Sequence, residues 1–321
     1  MSVIASGEFW AFVGVVAGIY TILALGIQLE FGFAGLLNFG HVAFMAIGAY
    51  TMAILTVKAG LSMWLAAPLG ILLSAAFGIV LGLPTLRLRA DYFAIVTIAF
   101  SEILLYVATN EDGLTGGSQG TINLSGPGKA AQYNGAWERF QSWLQGFLHI
   151  GSKDVAMLVV VWLVALGLTA ALALAVRTPW GRVLKSIRED EDVAASLVNN
   201  VFSYKLQALA LGSAAAGMAG CFYAWQFSFF SPDDFAPLLT FFAWMIVILG
   251  GLGRTWSVSV GALLFGVIFA GTRFFDFPPF SYFDSAERAY FRLIVIGLVI
   301  IGLVVFRPQG IVGKREELAL E

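Results

Sequence analysis

Charged side chains are scarce in this sequence. Asp, Glu, Lys and Arg make up 12% of its 321 residues, about half of what a soluble domain of that size carries. A single cysteine, Cys221, excludes any disulfide within the chain. Among Gly and Ala neighbours it reads as a small packing residue. The two histidines, His41 and His149, lie far apart with no second His or Cys beside them. They leave no clustered ligand set for a metal and no clustered acid, His or Cys set for an integral membrane enzyme. No G-x-x-x-x-G-K-S/T phosphate-binding loop occurs. The net charge of −2 argues against nucleic acid as a partner. The longest hydrophilic segment, Asn110–Asp154, is too short to build a core of its own.

What the chain has instead is apolar sequence in long runs, 59% of its residues. Uncharged stretches recur at Phe9–Leu29, Phe31–Val57, Ala59–Leu86, Val155–Val176, Leu206–Pro232, Phe235–Gly253 and Trp256–Thr272. Each approaches or exceeds the ~20 residues that carry a helix across a bilayer. Tyr92–Thr109 and Ala289–Phe306 add two more, carrying Glu102 and Arg292 respectively. The expectation is an all-α polytopic transmembrane helix bundle of about nine spans, one transmembrane domain over residues 1–321. A transmembrane barrel would alternate in polarity with period two, and this sequence does not. The first span is too long, and lacks the basic lead-in and cleavage site, to read as a signal peptide. Many of the 36 glycines fall inside spans, where small residues let membrane helices approach closely.

Basic loops mark the cytoplasmic side: Arg87 and Arg89; Arg177, Arg182, Lys185, Arg188 and Lys205; Arg254; and Arg307, Lys314 and Arg315. Placing all of them inside puts the N-terminus outside and the C-terminus in the cytoplasm. The outer loops then carry Glu111, Asp112, Glu138, Asp276, Asp284 and Glu287. Residues 110–154 form one such loop. Its second half spaces Trp137, Phe140, Trp143, Leu144, Phe147 and Leu148 three and four apart, which predicts an amphipathic helix at the outer interface. In its first half, Thr115, Gly116 and Gly117 either offer backbone N–H groups to a carboxylate or form an ordinary turn. Asp233 and Asp234 stand at another outer corner, available to a partner on the outer face or simply solvated.

Residues 177–205 are a polar island between two spans. Thr178-Pro179-Trp180-Gly181 ends the preceding helix. RVLKSIREDEDVAASL then predicts one short helix along the membrane surface, with Val183, Leu184, Ile187, Val193 and Leu197 on one side and charges on the other. It is either a solvated interfacial helix or a rigid lever seated in a groove of a cytoplasmic partner. Within the spans, Glu102 is the central charge, and a charge at that depth must face protein or a watery cavity. It is read as a gate or substrate contact, or as a packing residue. Asn38, Gly40 and His41 lie in a glycine-broken stretch, and irregular backbone at membrane depth lines a cavity or is buried in protein.

GRVLKSIREDEDVAASLVNNVFSYK resembles the cytoplasmic coupling loop of the permease subunits of high-affinity branched-chain amino acid ABC transporters, the LivM type in particular. Similar blocks run in order at Gly35–Leu55, Leu86–Leu104, Asp112–Gly120, Ser213–Phe235, Val247–Trp256 and Phe306–Gly313. The chain departs from the pattern at Leu197-Val198-Asn199-Asn200, where a glycine is usual, and at Arg254 and Ser257. The resemblance implies a permease subunit with no cofactor of its own, ATP being bound by partner subunits. It implies a LivH-like second permease subunit, two cytoplasmic ATPases, a periplasmic or lipid-anchored binding protein, and the bacterial inner membrane. Coupling to the ATPases would then fall to Gly181, Arg182, Lys185, Ile187, Arg188, Glu189, Asp190, Ala194 and Ala195. Substrates of the family include branched-chain and other neutral amino acids, urea and short amides. A stand-alone secondary transporter is the rival reading, with broken helices and midplane polar groups but no need of a lever.

Overall fold

The computed structural model describes residues 7–125, 133–149, 152–197, 200–271 and isolated positions beyond. The predicted span Ala289–Phe306, the basic tail and the last block of the resemblance lie almost wholly outside the described residues. The described chain forms helices α1 (Gly7–Ile27), α2 (His41–Val57), α3 (Met63–Thr85), α4 (Ala90–Asn110), α5 (Asp112–Thr115) and α6 (Gly135–Leu148). Then come α7 (Lys153–Arg177), α8 (Pro179–Glu189), α9 (Glu191–Leu197), α10 (Val201–Phe227), α11 (Leu238–Gly250) and α12 (Thr255–Gly271). Among the described residues there is no strand. Six helices are long and apolar enough to cross a membrane, and α2 and Thr255–Phe269 are shorter apolar helices.

The first two predicted spans need correction. A π-helical segment, Gln28–Phe33, continues α1 across Glu30, and the chain then unwinds until α2 starts at His41. Phe31–Val57 is therefore not one span. Glu30 reads as a boundary because a lone acid interrupts an apolar run. Its carboxyl group meets partners inside the fold through Oε2, so the helix runs through it.

Several hydroxyl groups inside the spans are satisfied on their own helices. Ser74, Thr169 and Ser213 donate to Gly70, Ala165 and Leu209 carbonyls four residues back, at 2.9, 2.7 and 2.7 Å. The core is α10 packed on α2 and α3 at backbone contact. A Cβ on Gly48 would lie 2.2 Å from the Gly217 carbonyl oxygen, and one on Gly220 would lie 2.0 Å from that of Met45. Without hydrophobic pressure from lipid, such close packing is what holds membrane helices together. Cys221 sits in this seam, its Sγ 3.7 Å from the Gly48 carbonyl, as a small packing residue. α1 runs through the middle, 78% buried over its apolar window, whereas α4 is only 17% buried and stands at the edge.

The helix predicted in the 110–154 loop is α6. Its aromatic stripe divides: Trp137 is buried and stacks on Trp225 at 4.5 Å, while Trp143 and Phe147 stack on each other and are exposed. Tyr133, just before it, donates to the Ala224 carbonyl at 3.2 Å, and burial pushes its phenol pKa up, holding it neutral.

Candidate functional site: the broken helix and its lever

An α-helix that widens into a π-turn leaves carbonyls to be met by something else. Here that turn carries Glu30, wholly buried. A buried carboxylate needs partners, and the unwound strand supplies them. Asn38 donates from Nδ2 to Glu30 Oε2 at 2.9 Å, and His41 Nδ1 lies 3.2 Å from the same oxygen. His41 Nε2 is 3.2 Å from the Leu23 carbonyl, back on α1. Room for this cluster comes from two glycines. A Cβ on Gly212 would lie 2.2 Å from Glu30 Oε1, and one on Gly26 would lie 2.6 Å from His41 Nε2.

The unwound backbone is satisfied as membrane depth requires. The Phe39 amide donates to Thr97 Oγ1 at 3.1 Å, Gly40 to Asn38 Oδ1 at 3.0 Å, and Val42 to Thr240 Oγ1 at 3.0 Å. Trp244 Nε1 donates to the Asn38 carbonyl at 3.0 Å. One break thus draws α1, α2, α4 and α11 to a point.

The polar island reaches the same place. Thr178 precedes α8 and Pro179 occupies its first turn, where a missing N–H does no harm. A Cβ on Gly181 would lie 2.3 Å from the Val176 carbonyl oxygen, so α8 folds back tightly on the end of α7. Leu184 and Ile187 are buried beneath it, with Arg182, Lys185, Arg188 and Glu189 exposed. Arg188 Nη1 donates to the Gly32 carbonyl at 2.5 Å, satisfying an end of the π-segment. Lys185 Nζ stands 5.8 Å from the centre of the Phe33 ring. Gly35, at φ +71°, lies against Arg188, so close that a Cβ there would be 3.4 Å from the Arg188 Cα.

The single lever helix predicted from the sequence is two. Asp190 is extended, at φ −153° and ψ 110°. Its Oδ1 accepts from the amides of Asp192 and Val193 at 2.9 and 3.0 Å, capping α9. Beyond this break Ala194 is buried and Ala195 exposed. Val193 and Leu197 are 56% and 80% exposed, not on the buried side as expected. Lys205 and Glu191, 2.5 Å apart, pin α9 to α10.

The profile of a family described as "branched-chain amino acid transport system / permease component" matches residues 10–304. The chain belongs to this permease family. It is 35% identical to the LivM high-affinity branched-chain amino acid permease proteins of Salmonella typhimurium and Escherichia coli, over 94% of this chain and 70% of theirs. A LivH permease protein of Escherichia coli is 24% identical over 92% of each chain. No solved structure matches.

In this permease the other predicted site residues lie apart from the broken helix. Glu102 is exposed on α4. Its neighbour Ser101 is buried, and the Ser101 and Tyr50 hydroxyls, without hydrogen-bond partners, belong to residues that line one narrow cleft with Pro232 and Phe235. Thr115, Gly116 and Gly117 make a tight turn beyond α4. Thr115 Oγ1 is 2.7 Å from both the Ala108 and Glu111 carbonyls. The two glycines have φ +83° and +62°. Their amides donate within the turn, to the Asp112 carbonyl and to Thr115 Oγ1 at 3.3 Å each.

The residue that sequence reasoning missed is Glu30. It was visible as the one acid between two apolar runs. Gln28, which donates from Nε2 to the Arg254 carbonyl at 3.0 Å, had no such signal. Ser257, one of the departures from the family pattern, closes the same loop by donating to the Gly251 and Arg254 carbonyls at 2.6 and 2.7 Å.

Proposed function

We propose that this chain is the LivM-type permease subunit of a bacterial inner-membrane ABC importer for branched-chain or other neutral aliphatic amino acids. It crosses the bilayer about nine times, N-terminus outside and C-terminus in the cytoplasm. A LivH-like subunit completes the pathway. Two cytoplasmic ATPases bind and hydrolyse ATP, and a periplasmic or lipid-anchored protein delivers the amino acid. The names of the LivM and LivH relatives support the substrate and the pairing.

The observation that carries this reading is the grip of α8 on the broken helix. Arg188 holds Gly32, and Gly35 packs on Arg188. Closure of an ATPase dimer that moves α8 therefore pulls on the strand holding Asn38 and His41 against Glu30. α9 presents exposed Val193 and Leu197 beside Glu189–Asp192, an apolar spot with a charged rim for a soluble partner to cover. α4 leaves Glu102 exposed at a depth where lipid is a costly neighbour. The second subunit and the watery pathway between the two subunits are its natural surroundings.

The test is purification followed by reconstitution. The chain should co-purify with an ATPase and a second permease subunit. Uptake of leucine into proteoliposomes should then need ATP and the binding protein. Leucine transport by the isolated chain without an ATPase would reverse the assignment.

A further inference from the structure

A cleft of about 680 Å³, partly shared with open solvent, lies between the 34–37 backbone, the turn joining α3 to α4, and helices α8 to α10. Cations from separate elements line it: Arg89 before α4, Arg188 at the end of α8, and Lys205 on α10. Glu191 is the one carboxylate among the lining residues, and it is already paired with Lys205. Arg188 commits one nitrogen to Gly32. Arg89 is exposed and has no ion pair among the described residues. Asp91, on the first turn of α4, does not line the cleft. The balance inside is positive.

Depth and shape narrow what that charge is for. Arg89 stands between Met63–Thr85 and Ala90–Asn110, both of which are long enough to cross a membrane. The cleft therefore lies where the spans end, at the level of lipid headgroups. Its other wall is apolar, with Leu88 and Phe93 among the lining residues. Leu88 and Tyr92, 45% and 60% exposed, carry that surface onto the open side of α4. A free anion has no use for an apolar wall, whereas a phosphate attached to acyl chains uses both halves.

We propose that this cleft binds the phosphate headgroup of an anionic phospholipid, with Arg89 as its main contact and the acyl chains along α4. Ile187 and Arg188 of the lever share the cleft with Gly35 and Leu36 of the unwound strand, so the lipid would sit where the two meet. This site stands on the geometry of the cleft alone and does not depend on which solute the protein carries.

Native mass spectrometry of the full chain, extracted with its partners in mild detergent and offered equal phosphatidylglycerol and phosphatidylcholine, tests it. Wild type should retain phosphatidylglycerol in preference. Arg89→Gln should retain about fivefold less, Arg89→Lys should keep most of it, and Arg139→Gln, on α6, should match wild type. Equal retention by Arg89→Gln and wild type, or an equal loss in Arg139→Gln, overturns the site. Displacement of the lipid by millimolar inorganic phosphate would make it a free-anion site and sink the lipid assignment. If Arg89→Gln does not assemble, salt decides: retention by wild type must fall as ionic strength rises, and constant retention refutes the proposal.

Discussion

Arg188 Nη1 meets the carbonyl oxygen of Gly32 at 2.5 Å across 156 residues of sequence. Through this contact the polar island and the broken membrane helix, two features separate in the sequence, become one mechanical unit. Arg188→Gln should lower ATP-driven uptake by about tenfold while the protein still inserts, because a charge-assisted hydrogen bond is replaced by a shorter neutral group. Reversing Arg182, Lys185 and Arg188 together should uncouple transport altogether. Uptake and ATPase stimulation assayed side by side in proteoliposomes check both. Normal coupling in the triple variant removes the lever role.

Glu30 and His41 should be worth more together than apart. Removing one member of a buried polar pair strands the other and costs about 1–3 kcal/mol. Glu30→Gln and His41→Gln should each lower stability by such an amount, and the double variant should lose clearly less than their sum. Denaturation of the purified protein in mixed micelles measures the cycle. Additive losses would mean that the 3.2 Å approach carries no coupling energy.

Gly35 adopts φ +71° against Arg188. A side chain in that left-handed conformation costs roughly 1–2 kcal/mol. Gly35→Ala should therefore destabilise by about that amount, and Gly35→Asn by less, as judged by thermal unfolding. Equal melting of all three proteins would show that the turn relaxes.

Glu102→Gln should reduce uptake severalfold and leave membrane insertion unchanged. The side chain is exposed on the α4 edge, so no contact within this chain's own core is lost. Wild-type uptake over the whole accessible pH range would leave Glu102 with a packing role only.

Val193→Asp and Leu197→Asp on α9 should abolish ATPase co-purification without unfolding the bundle. Both side chains are more than half exposed, and a desolvated carboxylate at the centre of an interface weakens it strongly. Pull-down of the ATPase at wild-type yield would place the docking surface elsewhere.

The sequence made most of the bundle legible. Uncharged runs near membrane length need no partner to be recognised as helices. Thr178-Pro179 marked the end of α7, and the three- and four-residue spacing of aromatics marked α6. The failures share a cause. In sequence, Glu30 reads as a boundary and Asp190 as one more charge on a continuous helix. Local pattern cannot tell a charge that faces water from one met by a distant residue, nor an aspartate on a helix surface from one that caps the next helix.

Composition by itself therefore determined that this is a multi-span helical membrane protein with a polar segment between two spans, because the cost of unpaired polar groups in lipid is met locally, residue by residue. Only the tertiary structure decided that α1 runs through Glu30, that the chain unwinds before His41, and that α8 holds the end of that break. Those outcomes depend on partners such as Asn38, Thr97, Thr240 and Arg188. Their proximity is set by close helix packing around Gly26 and Gly212, and no short-range signal in the chain encodes it.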